Sequence, residues 1–487
     1  MTPSKNQSVK IQRLWAEAPE RYQAYDPTTL SSEKFESLLP DFVPRIIKED
    51  IAHYFHYLRN NRKRSSLKAW EKASGCIDSP HSWKTDNYRP VFSFLYYDRL
   101  TNGQFLPLLL SKFESAISVK NQQMTVEQFN QLCRLSVVGF RPRIDAISLK
   151  ILLALSQNPS LVTQELVEIT GHSYVTIYNR LKQLRAKLGL RVTTRINWRR
   201  LGVQRFFLIT QQPSLFSSFK DFSQFLDGKA TFLWGENNFL HYYLIPHEVK
   251  DRFLKAYRSV STTSTMTKCY HLQGTPIMGY SFDLFDVNEQ KWHFDFATAF
   301  LQPMKSSSKI RQVFTEEKYG SENPYEPTTK EIKVMEGLLR NYSLTQKELA
   351  NLLQIHEPNL SIIKSKLSDE QIIAPQLMLR LGLPLNCFLR CTPNSDEILQ
   401  TLINLMQKIP FFNLSVVNAC EEEPLAKELI CFLQLDDILY YSLVTFLREL
   451  SQEQLLREFK IGLLVDSFFG ESKVKEVLKE TLIEGFS

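Results

Sequence analysis

The chain has 487 residues, 43% of them apolar, and a formal net charge of +7. That length suggests three or four domains; no apolar run approaches the ~20 residues of a membrane span, and the polar start Met1 to Gln7 lacks a signal-peptide core, so a cytoplasmic protein with no membrane partner is expected. Seven cysteines, at 76, 133, 269, 387, 391, 420 and 431, show no CxxC pair, which argues against a disulfide framework and a zinc site.

Residues 1–140 carry no motif with an assignable role. Ile47, Ile51, Tyr54, Phe55 and Leu58 form a helical stripe, as does the run 125–135, so a mostly helical N-terminal region is expected. His53 and His56 have the spacing of a metal pair but no acidic or cysteine neighbour. Asn61-Arg62-Lys63-Arg64 is a short basic cluster, a pattern that is usually a solvated face.

Residues 141–202 read as a winged helix-turn-helix. Residues 147–155 form an apolar-striped helix closed by Asn158-Pro159, residues 161–170 a short second helix, and Gly171 the turn. A third helix over 173–188 buries Ile177, Leu181, Leu184 and Leu188 and exposes Ser173, Tyr174, Thr176, Asn179, Arg180, Lys182 and Gln183. Residues 190–198 alternate and suggest a wing carrying Arg191 and Arg195. The segment 141–200 holds eleven basic and three acidic residues, 11 − 3 = +8, whereas 381–487 hold nine and sixteen, 9 − 16 = −7. Such focusing is what phosphate contact requires. The expected role is major-groove reading by helix 173–188 with the wing on the backbone of double-stranded DNA.

Residues 203–300 change pattern. Strand 203–210, helix 214–226, strands 230–233 and 239–245 about Gly235-Glu236-Asn237-Asn238, helix 247–260 and strand 266–272 give βαββαβ, the order of a ferredoxin-like sandwich. A hairpin follows over 282–287 and 292–296.

The head, the Arg200-Leu201-Gly202 junction, Asp145 and Ser173-Tyr174-Val175-Thr176-Ile177-Tyr178-Asn179-Arg180-Leu181 together resemble the Lrp/AsnC family of prokaryotic regulators; the appended hairpin resembles archaeal members. The resemblance covers roughly residues 145–300. It implies a DNA-binding transcriptional regulator, a homodimer built through its sandwiches, and an amino-acid or other small-molecule effector at Gly235, Asn237 and Asn238, where asparagines replace the family's usual aspartate.

The pattern then repeats. Arg200-Leu201-Gly202-Val203 recurs as Arg380-Leu381-Gly382-Leu383, and residues 161–166 resemble 344–349. A linker over 301–327, a second and degenerate head over 328–382, a second sandwich over 383–470 and a C-terminal helix over 471–487 complete the expected α+β tandem. His172 corresponds to His356 in this reading; 30 positions separate His172 from Gly202 and 26 separate His356 from Gly382, so the second wing is expected to be shorter. Residues 321–380 carry seven basic and eight acidic residues, 7 − 8 = −1, leaving His356, Asn359 and Lys364 as accessory DNA contacts. Cys387 and Cys391 share one strand face and read as core.

No phosphate loop, nucleophile elbow or catalytic carboxylate pair stands out. His271 and His293 read as structural or surface residues. The expectation is a non-enzyme without cofactor or metal. Its rivals are a winged-helix protein-interaction scaffold and a small-molecule sensor without DNA binding.

Overall fold

The computed structural model describes residues 143–261, 267–301, 324–340, 345–420 and 427–469, helix α1 at Phe105–Ala116, and isolated positions in 31–137 and 474–478. His53, His56, the 61–64 cluster and most of the helical stripe fall outside these residues. Two units are distinguished: residues 1–142 with 185–189, and residues 143–184 with 190–487. In the first, α1 buries Phe105, Leu109 and Phe113, and Phe113 stacks on Phe129 at 6.3 Å.

From residue 143 on, the periodic stretches form helices α2 (Ala146–Gln157), α3 (Thr163–Thr170) and α4 (Tyr174–Leu188), the last of which belongs to the second unit as far as Leu184. Asp145 caps α2 by accepting from Ser148 N, and Gly171 closes α3 at φ 71°. The second copy repeats this with α7 (Thr329–Arg340), α8 (Gln346–Leu353) and α9 (Glu357–Asp369). Thr345 and Glu348 form its capping box, and Gln354 takes the left-handed turn at φ 55°. His356 is the N-cap of α9. It therefore matches Ser173 and not His172.

The strand after each head is where the winged-helix expectation fails. β1 (Arg191–Ile196) and β8 (Ile373–Met378) have six residues each, so the second strand is not shortened. They form no hairpin of their own. They pair with each other, antiparallel, from Arg191↔Met378 to Ile196↔Ile373. A single strand cannot satisfy its ladder alone; each head's strand is completed by the other's, 182 residues away.

The two expected sandwiches are likewise not separate. β2 (Val203–Thr210), β3 (Leu226–Trp234), β4 (Glu236–Pro246) and β5 (Lys268–Tyr280) come from the first copy. β9 (Leu385–Pro393), β10 (Phe411–Ala419), β11 (Lys427–Leu435) and β12 (Leu456–Phe469) come from the second. Together they form one closed antiparallel barrel in the order β10-β11-β9-β12-β3-β4-β2-β5. The seams are β12–β3, with Leu463↔Leu233, and β5–β10, with Tyr270↔Ala419. The tandem winged-helix and sandwich architecture is thus replaced by an eight-stranded barrel with surrounding helices. The physical reason is edge pairing: each four-stranded half leaves two open edges, and the other half covers both.

Alternate residues fill the barrel. Phe207, Phe232, Leu240, Tyr270, Phe388, Val417, Ile430 and Phe432 pack inside, with Phe232 on Phe388 at 4.3 Å and Phe388 on Phe432 at 4.9 Å. Outside, the segment expected as helix 214–226 is a 3-10 helix, Pro213–Phe225, kinked at Phe219. It packs with α5 (Lys250–Ser261) through Phe219, Phe222 and Phe253. The hairpin shrinks to β6 (Phe285–Asp286) and β7 (Lys291–Trp292), followed by α6 (Phe296–Leu301). Cys387 and Cys391 are buried on the outer face of β9, beside α10 (Asp396–Met406), and burial pushes both thiols up to about 12. Among the described residues, no helix is long and apolar enough to cross a membrane.

Candidate anion-binding site

Among the described residues, two clusters of buried charge in the barrel differ in chemistry. On the inner faces of β9, β11 and β12, Arg390 is 5% exposed and is matched by carboxylates. Its Nε donates to Glu428 at 2.5 Å, an Nη donates to Glu458 at 2.8 Å, and the guanidinium lies 5.7 Å from the Tyr270 ring. A buried cation with two acidic partners is a closed structural unit.

The second cluster is not balanced in that way. β2 places Arg205 on the same inward face as Phe207 and Ile209, at the end where the strand begins. Arg205 is 9% exposed; one Nη donates to the Ile196 carbonyl at 3.3 Å, while its buried Nε has no hydrogen-bond partner. Among the described residues no carboxylate forms an ion pair with it. Arg195 of β1 is also 9% exposed and donates to the Pro276 carbonyl of β5. Burial, and then the neighbouring Arg205 charge, push Arg195 down to about 9. Tyr242 of β4 pairs opposite Phe207 and feels the charges of both arginines. Burial pushes its phenol up to about 12, against the pull of Arg205 and Arg195, while Asp227 adds to the rise. The Tyr242 proton is therefore retained at neutral pH. Two like charges held close in a low-dielectric region form a locus of positive potential, and an anion relieves both the repulsion and the desolvation.

The β1–β8 pair borders this end of the barrel. Besides the Arg195 bond, Gln376 of β8 donates to Met278 Sδ at 2.7 Å, and the Tyr280 hydroxyl both donates to Leu379 O and accepts from Leu379 N at 2.9 Å. The strands read as a wing thus cover a barrel end.

Of the residues expected to face DNA, Ser173, Tyr174, Asn179, Lys182 and Gln183 are exposed on or at the start of α4, while the two wing arginines are not. Arg195 is buried and Arg191 half-buried, whereas Val192, placed inward by the alternation, is 37% exposed. Arg180 pairs with Asp145 at 2.9 Å and donates to Gln183 at 2.7 Å. Arg200 pairs with Glu370 at 3.4 Å. Ser173 and Thr176 hydrogen-bond each other at 2.9 Å, and Tyr174 stacks on Tyr178 at 6.5 Å. Asn179 and Lys182 remain exposed on α4, as do His356 and Asn359 on α9, while Lys364 is half-buried. Within the +8 block, Arg195 is buried and Arg200 is paired with Glu370 from outside the block, whereas Arg143, Lys150, Lys182, Arg185, Lys187 and Arg199 stay exposed.

The expected effector residues all lie at the turn between β3 and β4. Gly235 makes the β3–β4 turn at φ 80°. Asn237 lies in the backbone ladder opposite Leu233. Asn238 is buried and donates to Glu236 O at 2.8 Å, at the far end of β4 from the arginines. Two histidines pack outside the barrel. His241 stacks on Phe216 at 3.3 Å and contacts the Tyr243 hydroxyl at 3.1 Å; His271 stacks on Phe206 at 4.9 Å. Where no metal was expected, Asp286, Glu289 and His293 bring ligand atoms within 4.8 Å of one another. The Asp286 carboxylate is spent capping the turn, accepting from Asn288 N at 2.6 Å and Glu289 N at 3.0 Å. A groove of about 470 Å³ on α9 is lined by Ser361, Ser365, Lys366 and Asp369 among others, but Lys366 is already paired with Glu331 at 2.8 Å.

No family model and no curated protein matches the sequence. Solved structures that align include the siroheme decarboxylase NirDL, at 10% identity and a TM-score of 0.38, over 69% of this chain and 98% of that one. NirDL in co-complex with an iron-uroporphyrin III analogue aligns at 10% identity and a TM-score of 0.37, over 70% and 97%. The expectations of an Lrp/AsnC-like, archaeal-type regulator of transcription and of a non-enzyme are both withdrawn: no family model or curated protein supports them, and the structures that align are those of a protein named as a decarboxylase. Likeness at this level carries no residue correspondence, and the function is argued from this chain's own groups.

Proposed function

We propose that the chain binds a carboxylate-bearing small molecule at the arginine end of the barrel, with Arg205 and Arg195 as anion anchors and the Tyr242 phenol as a hydrogen-bond donor. The observation that carries this reading is Arg205: a guanidinium nine-tenths buried, with an unpartnered Nε and no acidic partner among the described residues. Arg390, in the same barrel, shows how the fold treats an arginine that it neutralises itself. A carboxylate suits a guanidinium because two parallel N–H donors meet two oxygens. Tyr242 favours a ligand with a further acceptor, because a phenol that keeps its proton can donate.

The test is thermal unfolding and isothermal titration with citrate, an amino-acid panel, inorganic phosphate and a uroporphyrin, the last being the ligand class named for the aligned enzyme. A carboxylate ligand should raise the Tm of the wild-type chain, and Arg205→Met should remove the rise. Tyr242→Phe should weaken binding without abolishing it. If no anion shifts the wild type, or if Arg205→Met responds as the wild type does, the reading is wrong.

A further inference from the structure

Cys269 on β5 and Cys420, directly after β10, face each other across the seam between the two halves of the barrel. Tyr270 pairs with Ala419, and the next position is closed by Cys420 N donating to Cys269 O at 2.9 Å. Their sulfurs lie 3.5 Å apart in a non-covalent contact. Directly opposed residues of an antiparallel pair have Cα atoms about 4.5–5.5 Å apart, inside the range a disulfide spans, and a covalent S–S bond of about 2.05 Å needs only a small side-chain rotation from here. Cys269 is 1% exposed, whereas Cys420 is half-buried. The pair is therefore asymmetric: Cys420 is partly open to solvent and Cys269 is buried.

We infer that Cys269 and Cys420 form a reversible disulfide that staples the β5–β10 seam when the chain meets a low-molecular-weight disulfide oxidant. The Cys420 thiolate attacks one sulfur of the oxidant, forming a mixed disulfide and releasing one small thiolate. The Cys269 thiolate then attacks Cys420 Sγ; the mixed disulfide breaks, the protein S–S bond forms and the second small thiolate leaves. The two protein thiols lose two protons and two electrons, and the oxidant becomes two thiols. Two features favour this chemistry over inert burial. The sulfurs are pre-positioned by the ladder. The link also joins segments 420 − 269 = 151 positions apart across a junction that, among the described residues, no disulfide bridges, so it restricts the open chain more than a local bridge would. Cys387, Cys391 and Cys431 are fully buried with thiols raised by burial; they are the reduced background against which the pair is read.

The experiment uses the full chain. It is incubated with glutathione disulfide, quenched in denaturant with N-ethylmaleimide, and mapped by non-reducing peptide mass spectrometry. The expected result is one cross-linked peptide pair containing Cys269 and Cys420, loss of two alkylatable thiols, and slower amide exchange at the β5–β10 seam. Cys269→Ser should stop at a glutathione adduct on Cys420, which reports the order of the two steps. The inference is overturned if the wild-type chain also stops at that adduct, if the cross-link joins other cysteines, or if both thiols remain fully alkylatable. The wild-type arm decides the matter even where a variant fails to fold.

Discussion

Replacing Arg205 by Met should stabilise the ligand-free chain. A buried cation without a carboxylate is a charge left uncompensated, a condition worth about 3–5 kcal/mol of destabilisation. Met keeps the length and apolar stem of the side chain while removing that charge. Against this stands the Ile196 carbonyl, which loses its 3.3 Å donor; an unsatisfied buried acceptor costs about 1–3 kcal/mol. The difference leaves a gain of about 2 kcal/mol. Urea unfolding in anion-free buffer should therefore show a higher midpoint for the variant at an unchanged slope. With a carboxylate ligand at a hundred times its Kd, the wild type gains about 2.7 kcal/mol and the variant gains nothing, so the two approach each other or change order. A variant less stable than the wild type in anion-free buffer would refute the reasoning, because Arg205 would then be a satisfied structural group.

Stability should fall on acidification. Burial first, with Lys229 adding, pushes His241 down to about 3; burial, then Lys250 and Arg199, push His271 down to about 4. Between those values and the ordinary 6.5 the unfolded chain binds more protons, so stability decreases as pH drops through that window, by up to about 1.4 kcal/mol per pH unit for each histidine. His241→Gln should flatten the slope of urea midpoint against pH, and an unaltered slope would count against the assignment. Gly462→Ala should break the β12–β3 seam. A Cβ there would lie 1.9 Å from Leu233 O and 2.5 Å from Trp234 Cδ1, forcing strands apart at a loss of more than about 3 kcal/mol. A variant that unfolds at the wild-type urea concentration would contradict the seam register.

Local elements were legible because they depend on near neighbours. The stripe Ile177, Leu181, Leu184 on α4 and the turn at Gly171 lie where periodicity and turn chemistry put them. Partner choice was not legible. The alternation in 191–196 marks a strand but is silent about whether its ladder is filled by the next few residues or by Ile373–Met378. The same gap hid the barrel, since Leu233 and Leu463 carry no mark of each other. Charge counting overstated the block for a related reason: Glu370, which neutralises Arg200, lies outside the counted residues and approaches it only in the fold, and Arg195 is buried there. Arg205 was missed although a signal existed. It is the one charge in Val203-Gln204-Arg205-Phe206-Phe207-Leu208-Ile209, and an arginine inside an apolar strand is a buried-charge warning.

The seam between β12 and β3 also sets a timetable. Leu233 meets Leu463, 463 − 233 = 230 positions later, so at ribosomal speeds of about 5–20 residues per second β3 waits roughly 10–50 s for its neighbour. Once β5 is made and until β10 emerges, the first half carries two bare strand edges, at β3 and at β5, and from then until β12 emerges it keeps the one at β3, each a template for any passing extended chain. The closed barrel has no such edge. The nascent chain is thus most vulnerable to association in the middle of its synthesis, and a chain halted before residue 456 would present β3 permanently to its surroundings.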